Sequence, residues 1–162
     1  MLSETGFFPR LVNERLVFPD LAASTVEEAL AELSAGLAHA GLVKDAGDLA
    51  RRLGERERLG STGLGGGVAI PHCKTRDLAD VLLAVGVSRR GIDFGAADGV
   101  PVTLIFLVVS PSDAPGLHLQ ALARISRVIR MPGVAEDLRR AATAAEIAAV
   151  LKTAEGRLPV PA

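Results

Sequence analysis

The sequence predicts one α/β domain in which helices cover both faces of a mixed β-sheet. Three observations carry that prediction. The run from Val100 to Val109 is almost wholly apolar and β-branched, the composition of a strand buried on both faces. Such a strand needs a layer on each side, and apolar stripes at helical spacing occur both before and after it. The 162 residues suit one compact domain, and neither an internal repeat nor a linker divides them.

Composition narrows the class. Apolar residues make up 49% of the chain and charged residues 23%, which is globular, and no apolar run reaches the length of a membrane span, so direct membrane insertion is not expected. The opening residues, Met-Leu-Ser-Glu-Thr-Gly, lack the basic and apolar regions of a secretory signal, and the single cysteine forms no internal disulfide; both point to the cytoplasm. A net charge of -1, with no Trp, no Tyr and five Phe, argues against nucleic acid as a partner.

In chain order, residues 15–20 read as a short strand stopped at Pro19, and hence near a sheet edge. Ser24 and Glu27 have the spacing of a capping box. Behind them Val26, Leu30, Leu33 and Leu37 form one stripe of a helix that ends near Gly41. His39 falls in its last turn, a structural or surface position. A second helix is expected from Asp45 to about Gly54, with Leu49 and Leu53 inward and Arg56 following it. Ala79 to Arg89 alternates Val81, Leu83, Val85 and Val87, a strand that leads to a turn at Gly91. After Val100–Val109, a loop through Pro111, Asp113 and Pro115 opens a helix with His118 in its first turn. On it His118, Leu122, Ile125 and Ile129 share one stripe. Met131-Pro132 and Gly133 end that helix, and a last one starts at the capping pair Thr143 and Glu146. The domain is placed at residues 1–155 and a frayed tail at 156–162.

The segment Gly60 to Lys74 is where chemistry gathers. Glycine occupies positions 60, 63, 65, 66 and 67, and Pro71 stiffens the lead-in to His72. Glycines permit φ > 0 and let backbone N–H groups converge on an anion, and a stiffly held imidazole beside them suits phosphoryl chemistry. Glycine-rich segments are also plain turns, a lone histidine is often structural, and Arg56 in a charged run is often a solvated side chain, so spacing alone leaves both readings open. Two rivals fail on spacing: no Lys-Ser or Lys-Thr follows the glycines as a P-loop requires, and Val68 stands where a dinucleotide fingerprint needs its third glycine. His72, Cys73 and His118 lack metal-ligand spacing, so neither metal nor cofactor is expected.

The run Arg56-Glu57-Arg58-Leu59-Gly60-Ser61-Thr62-Gly63, then Ala69-Ile70-Pro71-His72, resembles the enzyme IIA domain of the fructose, mannitol and nitrogen-regulatory branch of the bacterial phosphotransferase system. The resemblance continues through Gly91-Ile92-Asp93-Phe94, Asp98-Gly99-Val100-Pro101-Val102 and His118-Leu119. It implies an enzyme IIA mannitol/fructose-like fold and a phosphohistidine at His72. By position it also implies two supporting groups, Arg56 near the active histidine and His118 beside it. Cys73 stands where the family usually has a small residue, often Gly, and places a thiol beside the nucleophile as an expected bystander. The implied partners are a histidine-containing phosphocarrier protein as donor and a downstream enzyme IIB domain or a regulatory target protein as receiver. Fructose-type sugar uptake is the first expectation and a nitrogen-regulatory switch the alternative; the lack of fused B, C or carrier domains in these 162 residues leans toward a stand-alone or regulatory member. Neutral imidazole is nucleophilic at physiological pH, and glycine-loop amides, Arg56 and His118 are expected to stabilise the transferred group.

Overall fold

The computed structural model describes Phe8 and residues 11–158. Its strands are β1 (Val17–Phe18), β2 (Gly63–Gly65), β3 (Val68–Ala69), β4 (His72–Thr75), β5 (Leu82–Ile92) and β6 (Val102–Pro111). The helices are α1 (Val26–His39), α2 (Ala46–Leu59), α3 (Pro115–Ile129), α4 (Val134–Arg140) and α5 (Ala144–Gly156).

β6 is the axis, as its apolar run predicts: every residue except Thr103 is buried. The sheet order is β1-β5-β6-β3-β2, with β4 also on β6. β5 is antiparallel to β6, whereas β3 and β4 are parallel to it, so the sheet is mixed. Period 2 divides β6 between two cores. Leu104, Phe106 and Val108 meet Ile125 and Val128 of α3, Leu138 of α4, and Ile147 and Leu151 of α5. Ile105, Leu107 and Val109 meet Leu30, Leu33 and Leu37 of α1 and Leu49 and Leu53 of α2. Each fully buried side chain of this size contributes about 1.5–3 kcal/mol.

Several boundaries differ from the sequence expectation. The strand at residues 15–20 is only β1, preceded by a 3-10 turn at Glu14–Leu16, though it is parallel to β5 at the edge. Thr25, not Ser24, caps α1: its hydroxyl accepts from Glu28 N, and the Glu28 carboxylate accepts from Ser24 N and Oγ. Ser24 and Thr25 are each followed by a glutamate three residues on, so the spacing is ambiguous by one. α2 runs through Gly54 to Leu59. Arg51 bridges Asp48 and Glu55 there and Leu53 is fully buried, which outweighs one mid-helix glycine. Arg56 therefore lies in the last turn of α2 rather than after it. Gly91 does not turn the chain. It takes φ 80 within β5 at an irregularity of the ladder, where a Cβ would meet Pro101 Cβ at 2.8 Å. β6 begins at Val102 rather than at Val100. α4 has no counterpart in the sequence reading. Gly156 closes α5 and Leu158 packs against the core; the remainder of the expected tail, residues 159–162, and the opening residues 1–6 lie outside the described residues.

Candidate active site

β4 and the first turn of α3 bring the two histidines together. His72 begins β4, in register with Val108 of β6, and Val108 N donates to Pro71 O at 2.9 Å, which fixes the residue before it. His118 enters from α3, where Pro115 sits in the first turn and no side chain caps the helix. The two imidazole centroids are 5.2 Å apart with the rings tilted by 57°.

The hydrogen bonds differentiate the rings. Nδ1 of His72 lies 2.7 Å from the carbonyl oxygen of Ile70. A carbonyl only accepts, so Nδ1 carries a proton, and in the neutral ring Nε2 then keeps the lone pair. His118 is buried, and its Nδ1 lies 2.7 Å from Ser110 Oγ. Burial, then the neighbouring His72 and Lys74, push the pKa of His118 down to about 4, so it is neutral at pH 7. That burial narrows the support expected of His118 to a neutral N–H rather than a positive charge.

His72 lines an open cleft of about 460 Å³ with Arg56, Thr62, Gly63, Leu119 and Leu122. Arg56 Nη1 donates to Gly60 O at 2.8 Å, and its other N–H groups make no further hydrogen bond among the described residues. Three residues that the sequence reading did not name as site residues support the cleft, and of these Ser61 lines it. Glu57, one of the charged run around Arg56, accepts from Thr62 N at 3.1 Å and from the Thr62 hydroxyl. Ser61 Oγ donates to Phe94 O at 2.7 Å, and Ser110 holds His118. Glu57 and Ser61 fall inside the motif run that begins at Arg56, which gave neither a role of its own, and Ser110 lies outside every quoted motif.

The three consecutive glycines stand away from His72 rather than around it. Gly65, Gly66 and Gly67 take φ 88, 65 and 80 in the turn between β2 and β3. Gly66 N donates to Asp98 Oδ2 at 2.8 Å, Arg139 Nη2 donates to Gly66 O, and Thr103 N donates to Gly67 O. Val68 pairs with Leu104 while His72 pairs with Val108, a separation of about 13 Å along a strand. Nearer His72, Gly63 N is taken by Ser61 Oγ and Thr62 N by Glu57. Gly65, Gly66 and Gly67 thus form a turn away from His72, while Gly63 lines the cleft and Arg56 offers side-chain donors there.

Cys73 follows His72 on the strand and so points to the other face, packing against the α1 and α2 core. Burial pushes its thiol up to about 11, which keeps it protonated. His39 ends α1 as an exposed residue. Among the described residues, no three His, Cys, Asp or Glu side chains are placed to hold a metal ion.

Residues 10–154 match the family model described as phosphoenolpyruvate-dependent sugar phosphotransferase system, EIIA 2. A nitrogen regulatory protein of Bradyrhizobium diazoefficiens is 38% identical over 141 residues, which are 87% of this chain and 92% of that protein. The fructose-specific EIIABC component of Bacillus subtilis is 30% identical over 81% of this chain but only 21% of its own length. Among solved structures, nitrogen regulatory protein IIA-Ntr of Neisseria meningitidis superposes with a TM-score of 0.80 at 31% identity, covering 88% of this chain and 97% of that one. IIA mannitol of Escherichia coli, solved in complex with phosphorylated IIB mannitol, gives 0.74 at 21% identity over 87% and 96% of the two chains, a likeness of fold.

Proposed function

The chain belongs to the phosphoenolpyruvate-dependent sugar phosphotransferase system EIIA 2 family, a family of phosphoryl-transfer components, and from that premise we propose that it carries a phosphoryl group on Nε2 of His72. The observation that carries the reading is the contact of Nδ1 with Ile70 O, which leaves Nε2 unprotonated on a residue that lines an open cleft. The donor is a phosphohistidine on a histidine-containing phosphocarrier protein. The Nε2 lone pair attacks phosphorus as the donor's P–N bond breaks, and that bond's electron pair returns to the donor imidazole. Both rings keep a proton on their other nitrogen, so no separate base is needed.

Positioning and charge supply the catalysis. Arg56 presents a planar, permanently charged fork to the phosphoryl oxygens, and His118 supplies a neutral donor beside them. The group then passes to a cysteine or histidine of a downstream protein. No helix among the described residues is long and apolar enough to cross a membrane, and the cytoplasm, where phosphoenolpyruvate is made, is the proposed location.

A nitrogen regulatory protein matched over 92% of its length and a IIA-Ntr structure matched over 97% of its chain favour a switch that changes binding to a target protein according to phosphorylation. Fructose-type transfer to an enzyme IIB domain is the second reading, supported by the fructose-specific relative. Incubation with phosphoenolpyruvate and the general phosphotransferase proteins is expected to add one acid-labile phosphoryl group by mass, and His72→Ala to abolish it. A modification that survives acid, or persists in the variant, refutes the reading. Offering the phosphorylated protein a fructose-type IIB domain separates the two outputs: transfer supports transport, and retention supports the switch.

A further inference from the structure

Ser110 is the second-to-last residue of β6 and wholly buried. It lies two residues beyond Val108, on the face of β6 turned toward α3. Its Oγ is 2.7 Å from His118 Nδ1, and two proton arrangements fit that contact. In one, the serine hydroxyl donates to Nδ1 and the ring carries its proton on Nε2. In the other, Nδ1–H donates to Oγ, and the serine proton then needs an acceptor of its own. Ser110 Oγ makes no other hydrogen bond among the described residues, so the second arrangement buries an orphaned O–H donor. The first leaves only oxygen lone pairs unused, which buried groups tolerate better.

We infer that Ser110 is a positioning residue that donates to His118 Nδ1 and thereby holds this imidazole as its Nε2–H tautomer, aimed at the phosphoryl group of His72. The final clause rests on the function proposed above; the tautomer does not. Burial and its neighbours hold the ring neutral at pH 7, with a pKa pushed down to about 4, so a tautomer exists to be selected. Two adjacent histidines thereby acquire opposite roles. Ile70 O takes the Nδ1 proton of His72 and frees its Nε2 lone pair, while Ser110 occupies the lone pair of His118 and leaves a donor at its Nε2. In the opposite tautomer, Nε2 of His118 would present a lone pair, repel the phosphoryl oxygens and compete with His72 for the group.

Long-range proton–nitrogen NMR of the full chain labelled with 15N-histidine reads both rings directly in the unphosphorylated protein. The expected result is a bare Nδ1 and protonated Nε2 for His118, with the reverse for His72. Ser110→Ala should shift His118 toward protonated Nδ1 and slow phosphorylation of His72 about tenfold, the lower end of what losing an outer partner costs a metal-bound imidazole. Ser110→Thr keeps the hydroxyl and should restore both readouts; should its added methyl prevent folding, the spectrum of the unsubstituted chain still decides. A protonated Nδ1 on His118 in that chain, or an unchanged tautomer in folded Ser110→Ala, overturns the inference. An Nε2–H tautomer in a protein whose His72 takes no phosphoryl group removes the proposed function and leaves the role of Ser110 in setting the tautomer intact.

Discussion

His72 and His118 face each other with ring centroids 5.2 Å apart, although 46 positions separate them in the chain. Parallel pairing of β4 with β6 and the short loop into α3 create that proximity. The buried member of the pair is held neutral, and this has consequences for stability as well as for transfer.

Between pH 6.5 and about 4 the unfolded chain protonates His118 and the folded chain does not. The unfolded state therefore binds more protons in this window, and stability falls as pH is lowered through it. His118→Gln removes that titration. Thermal melting from pH 7 to pH 4 should show a shallower loss in the variant than in the unsubstituted chain, and parallel curves would mean that His118 titrates normally. His118→Ala should slow phosphorylation of His72 by about a hundredfold, the usual effect of losing one donor, while leaving the end-point stoichiometry nearly intact.

Arg56→Ala is expected to slow transfer by about a hundredfold with little change in melting temperature, because its side chain is half-exposed and, among the described residues, bonds only Gly60 O. Arg56→Lys keeps the charge but not the planar fork and should recover only part of the rate. Rapid-quench phosphorylation measures both. Full rate in the lysine variant would show that charge alone suffices.

Cys73→Ser should transfer phosphoryl at close to the normal rate, since the thiol lies on the opposite face from His72 and is kept protonated by burial. Loss of transfer by a folded variant would bring the thiol into the mechanism.

Gly67→Ala separates scaffold from site. At φ 80, with Pro101 O 3.2 Å and Arg139 Nη2 2.9 Å from the new Cβ, it should destabilise the fold by about 1–3 kcal/mol. Denaturant titration measures that loss. Phosphorylation of the folded fraction should be unchanged, and a lost rate at full stability would return the glycine turn to the active site.

The layers and the axis of this fold are legible in the sequence because β6 and the stripes of α1 and α3 are set by burial, which leaves an apolar period. His72, Arg56 and His118 were legible through motif resemblance, and the cleft does gather His72 and Arg56, with His118 against the His72 ring. Glycine spacing alone did not place Gly65, Gly66 and Gly67 in their turn. Positive φ serves a tight turn as well as an anion nest, and the partners that decide between them, Asp98 and Arg139, lie about 30 and 70 residues away. Ser110 and Glu57 were illegible for the same reason: a serine ending an apolar strand and a glutamate in a charged helix have no local mark of a distant partner.

The most direct test of the central claim is the nitrogen that bears phosphorus. Phosphorus–nitrogen coupling in 15N-histidine-labelled protein, after incubation with phosphoenolpyruvate and the general phosphotransferase proteins, is expected at Nε2 of His72 alone. Coupling at Nδ1 of His72, where Ile70 O holds the proton, or at either nitrogen of His118, would contradict it.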